Sequence, residues 1–187
     1  KAWDIRCMEV YAAMTEIMDR GIGRIVNELK KQKLFENTLV IYLQDNGGCA
    51  EGYGRVNNSQ KKDQFKFKPL GKDGLQTKIW PPMQTRDGKF VRTGPETMPG
   101  GDDTFVAYGP GWANTSNTPF RGYKHDPYEG GIGTPFIVSW PRGIDSDQNG
   151  KIIHDVSHLI DLMPTFVEAA GATYPKNYNG NEIQPME

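Results

Sequence analysis

An acid and an amide stand side by side at Asp45 and Asn46, just beyond the apolar run Thr38–Leu43 and just before Gly47 and Gly48. An Asp carboxylate and an Asn amide oxygen are hard donors, suited to Ca²⁺ or Mg²⁺. The two glycines let the backbone turn sharply and leave space for a ligand. The same four residues also read as an ordinary loop after a strand, and spacing alone does not choose between the two. A second candidate is Lys124, in the string Thr118–Gly131, which leads into the apolar run Pro135–Trp140. A lysine held near a metal site would meet an anionic oxygen as a compact point charge. A solvated lysine is the alternative. Glu129, five residues on, is either another acid or the anchor of the turn.

Two other constellations are weaker. His154 and His158 are four apart and could share a metal, but Asp155 stands where the zinc-protease pattern needs Glu, and no third ligand is evident. A capping or packing role for His158 is the better reading. Cys7 and Cys49 are the only thiols. Neither has a base or a nucleophile-elbow context, and a carboxylate such as Asp45 near Cys49 would raise a thiol pKa rather than activate it. Both are read as structural.

These groups need elements to position them. Tyr11, Met14, Met18, Ile22, Ile25 and Leu29 recur at spacings of three and four, which predicts one face of a helix running to about Lys33. Gly21 and Gly23 interrupt it, an arrangement that suits close packing. TLVIYL at Thr38–Leu43 predicts a buried strand, with further strands at Thr104–Tyr108 and Pro135–Trp140. A last helix is expected from Asp161 as N-cap, with Pro164 in the first turn, Phe166, Val167 and Ala170 on the packed side, and Gly171 just past the end. Helices alternating with strands predict an α/β fold with a parallel sheet. Ligands of such sheets bind beyond the carboxyl ends of the strands, where Asp45 and Asn46 lie.

The formal net charge of -1 conceals a split. Residues 55–92 hold ten Lys or Arg against three Asp, a balance of +7 that leaves -8 for the rest of the 187 residues. The stretch from about 52 to 104 is poor in apolar side chains and reads as a basic surface excursion. No helical period orders its cations into a stripe and no zinc or RNP motif accompanies them, so nucleic acid is not an expected partner. No run of 18 apolar residues predicts a transmembrane segment. The opening KAWDIRCMEV has neither an initiator Met nor a signal-peptide pattern and reads as interior sequence.

Taken in order, three segments resemble the sulfatase family of the alkaline-phosphatase-like superfamily. MEVYAAMTEIMDRGIGRIVNELKKQKLFENTLVIYLQDNGGCAEGYGR is similar to the stretch leading to the family's metal-binding Asp-Asn. YGPGWANTSNTPFRGYKHDPYEGGIGTPFIVSWPRGI is similar to the segment holding its active-site Lys, and HLIDLMPTFVEAAGATYP to the helix that follows. The W-A-N-x-S-N-T-P-F-R string points to the arylsulfatase type. The resemblance implies part of an alkaline-phosphatase-like sandwich, with a central, mostly parallel sheet flanked by helices. It implies that Asp45 and Asn46 are Ca²⁺ ligands, with Mg²⁺ the alternative ion. Lys124 would bind the sulfate and stabilise charge on the leaving oxygen. The substrate would be a sulfate ester, and the expected compartment is periplasmic or extracellular.

The family's nucleophile is a formylglycine made from Cys or Ser in a C/S-x-P-S-R motif, and neither form of that string occurs here. The acidic pair that completes the family's metal site is not found either. The expectation is therefore that residues 1–187 are the central-to-C-terminal portion of a sulfatase catalytic domain, with formylglycine upstream. Such a portion would be inactive alone and hold Ca²⁺ weakly, because two ligands do not make a cage for a hard cation. A phosphodiesterase or phosphonate hydrolase of the same superfamily would use the same groups. A non-catalytic binding module is the alternative of a different kind. If Lys61, Lys62, Lys66, Lys68, Lys72 and Lys78 face the cleft, they would steer in a polyanionic substrate such as a sulfated glycan.

Overall fold

The computed structural model describes residues 1–56, 65–80 and 82–185; Lys61 and Lys62 lie outside them. The chain divides into two compact units, Lys1–Asp145 and Ser146–Glu187.

The first unit opens with α1 (Ala2–Lys31), a helix of 30 residues. It starts well before the Tyr11 stripe that predicts it, and ends with Lys30 and Lys31 in its last turn, where cations suit the helix dipole. Its best-covered part is the first turns. Trp3 Nε1 donates to Thr97 O (2.8 Å), and Trp112 Nε1 donates to Asp4 O (2.9 Å). Arg55 lies over the Trp3 ring at 5.2 Å and pairs with Asp4 at 2.8 Å, holding the Asp4 carboxyl below its ordinary value. Cys7 is buried there, and burial pushes its thiol up, in keeping with a structural role. Residues 11–20 are all exposed, and of the apolar stripe Ile22 and Leu29 are half-buried while Tyr11 rests against the Tyr108 ring at 4.9 Å, so the stripe is only partly covered. Gly21 and Gly23 have no close neighbour across the helix and serve no close packing.

A 3₁₀ turn (Phe35–Asn37) leads into β1 (Val40–Leu43), which pairs with β2 (Phe136–Ser139). The pair is antiparallel, in the register Val40↔Ser139 to Leu43↔Phe136, whereas the helix–strand alternation predicts parallel neighbours. Apolar runs identify strands but carry no information on their relative direction. Thr104–Tyr108 does not form a strand. Thr104 makes a single bridge to Arg92, and Ala107 N–H reaches Tyr53 O (2.9 Å) before the chain turns into α2 (Gly109–Ser116). The glycines and prolines at 94–101 carry the partner segment away after one bridge. Between α2 and β2 lies α3 (Glu129–Ile132), a single helical turn.

The described part of the basic stretch is irregular but cross-linked. Phe65, Phe67 and Phe90 stack with centroids 5.6 to 6.4 Å apart. Arg86 donates to the carbonyls of Gly71, Lys72 and Gly74, and Gln84 Nε2 donates to Lys68 O (2.7 Å). Arg92 grips Asp103 with two nitrogens at 2.8 and 3.1 Å. Val91, Thr93 and Thr97 are buried, so this stretch supplies part of the packing under α1.

The second unit has no buried residue among the described ones. His158 Nδ1 accepts from Ile160 N–H (3.3 Å) while Asp161 Oδ2 accepts from His158 N–H (2.7 Å), a reciprocal cap on the 3₁₀ turn Leu159–Asp161. The capping role for His158 is thus observed, and His154 lies in irregular chain rather than on a helix face shared with it. The helix α4 (Leu162–Ala169) follows, with Pro164 in its first turn and Gly171 at φ +60° just past its end. Its expected packed side is not buried, and Phe166 is exposed. A two-residue hairpin, β3 (Asn177–Tyr178) and β4 (Asn181–Glu182), closes on Asn179-Gly180, both at positive φ.

The Arg92–Asp103 pair should contribute to the acid stability of the first unit. The guanidinium hydrogen bond holds the Asp103 carboxyl below its ordinary 3.8. A carboxyl lowered in the folded state contributes stability above its unfolded value and loses it as pH falls through the folded one. Asp103→Asn should therefore lower the urea midpoint near neutrality and flatten its fall below about pH 4. Parallel titration curves for variant and wild type would exclude this.

Candidate functional site

Antiparallel pairing sets the carboxyl end of β1 beside the amino end of β2, so the loop leaving one lies against the turn entering the other. Thr134 Oγ1 donates to Gln44 O (3.0 Å) at that junction. Gly47 N–H donates to Gly131 O (2.9 Å), and Lys124 N–H donates to Gly48 O (3.0 Å). Asn117, the C-cap of α2, joins all three segments. Its Oδ1 accepts from Gly48 N–H (3.0 Å), and its Nδ2 donates to Gly122 O (2.9 Å).

Backbone approaches this close require glycine. A Cβ on Gly47 would overlap Gly130 O, and one on Gly130 would overlap Gly122 O. Gly48 packs on the Tyr108 hydroxyl and on Ala113, which is fully buried. Burial pushes the Tyr108 hydroxyl above its ordinary value, so it is neutral at physiological pH.

The three candidate residues fall within this arrangement. Asp45 is exposed, and no cation pairs with its carboxylate among the described residues. Asn46 is half-buried, and its Nδ2 donates to Gly47 O (2.9 Å), which leaves Oδ1 for another partner. Lys124 lies one hydrogen bond from the same loop, and its Nζ is 3.4 Å from Glu51 Oε1. The next residue, His125, sits at φ +79°, an uncommon conformation for a non-glycine residue. Glu129 begins α3, and its backbone carbonyl accepts from Gly133 N–H (2.8 Å). Among the described residues no group of three His, Cys, Asp or Glu could hold a metal. Asp45 and Asn46 fit a hard cation as two of its oxygen ligands, with the others to come from elsewhere.

The reading of spacing missed Glu51 and Asn117. Asn117 lies in the quoted W-A-N-x-S-N-T-P-F-R string but has no local signal of a bridging role. Glu51 is 73 positions from its partner, beyond any local pattern.

The model of the Sulfatase family matches residues 1–172. The chain belongs to the sulfatase family. It is 34% identical over 184 residues to an uncharacterised sulfatase of Schizosaccharomyces pombe, covering 98% of this chain and 28% of that protein. An arylsulfatase of Klebsiella aerogenes is 32% identical over 183 residues, covering 97% of this chain and 33% of its own length. A steryl-sulfatase of Mus musculus is 26% identical over 178 residues, 94% of this chain and 20% of that one. The chain thus spans a third or less of the length of these relatives.

Glycine requirements in this family member are testable by contrast. Gly47→Ala should cost about 1–3 kcal/mol through overlap with backbone that cannot rotate away. Gly23→Ala, in open space on α1, should stabilise by up to about 1 kcal/mol. Thermal melts of the two variants shifting in the same direction would contradict the packing described.

Proposed function

We propose that the protein of which this chain is part hydrolyses a sulfate ester, with Asp45 and Asn46 as two ligands of a Ca²⁺ ion and Lys124 as the group that binds the sulfate. The observation that carries this reading is the hydrogen-bonded junction of the loop after β1 with the Lys124 loop. It gives an oxygen-donor pair and an ammonium group one shared backbone frame.

Charge supports the pairing of a cation with this site. Residues 45–51 and 117–133 carry Asp45, Glu51, Asp126 and Glu129 against Arg121 and Lys124, a formal -2. An anionic ester would be repelled by these loops alone. Asp45 and Asn46 would hold a divalent cation that would offset that charge and would polarise the sulfate oxygens. The Lys124 ammonium would meet the negative charge that grows on the leaving oxygen. On this reading a formylglycine nucleophile and the remaining metal ligands would come from other parts of the protein, and a mostly parallel sheet would extend from the β1–β2 pair.

An arylsulfatase-type activity is the form we favour, following the Klebsiella relative. A polyanionic ester, such as a sulfated glycan, is favoured by one feature of the basic stretch. Phe65 and Phe67 turn inward on their ring stack while Lys66 and Lys68 are exposed, and Lys72 and Lys78 are exposed as well. A phosphodiester or phosphonate substrate has no specific support here.

The test uses the full-length enzyme. Lys124→Ala should lower kcat/KM on an aryl sulfate by roughly 10²–10³-fold. Asp45→Ala should weaken Ca²⁺ binding measured by titration calorimetry. Rising salt should depress turnover of a sulfated glycan more than that of the aryl sulfate. Wild-type kinetics in Lys124→Ala, or faster turnover of aryl phosphate than aryl sulfate, would refute the assignment.

A further inference from the structure

We infer that Glu51 is a positioning residue, holding the Lys124 ammonium against the loop that carries Asp45 and Asn46. The inference rests on the reading of Lys124 as the sulfate-binding cation. A lysine side chain has four rotatable bonds, and its ammonium is a mobile point charge unless something fixes it. Here both ends of Lys124 are fixed by one short segment. Its backbone N–H donates to Gly48 O (3.0 Å), and its Nζ lies 3.4 Å from Glu51 Oε1. Glu51 is three residues beyond Gly48, so the two anchors move together with Asp45 and Asn46. The loop that holds the metal ligands therefore also sets where the cation sits.

The chemistry allows Glu51 to hold the lysine without displacing the substrate. An ammonium has three N–H donors, so one directed at Glu51 leaves two for sulfate oxygens. The two side chains keep 32% and 35% of their surface exposed, so solvent screens the pair and its contribution to stability is small. Its effect is on geometry: a cation displaced by even an ångström loses much of its hold on the transition state.

The experiment compares Glu51→Gln, Glu51→Ala and Lys124→Ala in the full-length enzyme. It measures kcat and KM on an aryl sulfate, inhibition by inorganic sulfate, and melting temperature. Glu51→Ala should lose roughly 10- to 100-fold in kcat/KM, mostly in kcat, with the melting temperature unchanged. Glu51→Gln retains an acceptor oxygen and should recover most of that loss. Tighter inhibition by sulfate in both Glu51 variants would overturn the inference, because Glu51 would then be a competitor for the lysine. A lower melting temperature with unchanged kcat/KM would also overturn it, because the role would then be structural. A loss in Lys124→Ala with none in Glu51→Ala overturns the inference and leaves Lys124 as the sulfate-binding group. No loss in either variant overturns both.

Discussion

Everything at the candidate site depends on one backbone junction. Gly47 and Gly48 exchange hydrogen bonds with Gly131, Lys124 and Asn117, and so tie the end of β1 to the chain that precedes β2. The antiparallel register makes this junction inevitable once β1 and β2 pair, because Leu43 faces Phe136. It joins residues that lie roughly 80 positions apart in sequence. Long-range contacts of this kind cost chain entropy to close, and here backbone hydrogen bonds between half-buried segments offset it.

The junction explains one of the glycines, and the turn before β2 explains two more. Gly47 is needed because its backbone meets that of Gly130, whereas Gly130 and Gly131 are needed because their own turn folds back onto Arg121, Gly122, Tyr123 and Asp126. Sequence reading explains glycines in such strings by turn geometry and by room for a ligand. At Gly47 the cause is instead a neighbour brought from the far side of the chain. The same closeness brings four carboxylates into two touching loops, and only Arg121 and Lys124 oppose them. Arg121 is already engaged over the Tyr128 ring at 4.1 Å. Lys124 is thus the cation left to serve both Glu51 and an incoming anion.

Local patterns were readable where local physics decides the outcome. The strands at 40–43 and 136–139, the end of α1, the cap at His158 and the stop at Gly171 each follow from a few adjacent residues. The candidate residues Asp45, Asn46 and Lys124 were found by type and by family resemblance, and the structure brings their loops together. What was not readable was decided by partners. The antiparallel direction of β1 and β2, the failure of Thr104–Tyr108 to extend its bridge, and the Glu51–Lys124 pair all depend on segments distant in sequence. The stripe on α1 is helical as its period predicts, but periodicity states only which residues share a face. It does not say what covers that face, and Tyr11, Met14, Met18 and Ile25 are exposed.

That exposure bears on how the site is held rigid. Only Cys7, Val91 and Ala113 form the buried apolar core among the described residues. A two-stranded pair is marginal by itself, and Phe136, Ile137 and Val138 of β2 are exposed. Burial therefore supplies little of the order at the site, and directional contacts supply most of it. Hydrogen bonds hold geometry well but contribute modest net stability, about 1 kcal/mol each. A site built this way has its relative positions set by Gly47, Gly48 and Asn117, while its overall stability waits on whatever covers β1, β2 and the α1 stripe. Stability and alignment are thus only partly separable in this chain. Substitutions in the junction act on the alignment of Asp45, Asn46 and Lys124 as well as on stability, whereas substitutions on the exposed apolar faces act on the stability of the frame that carries them.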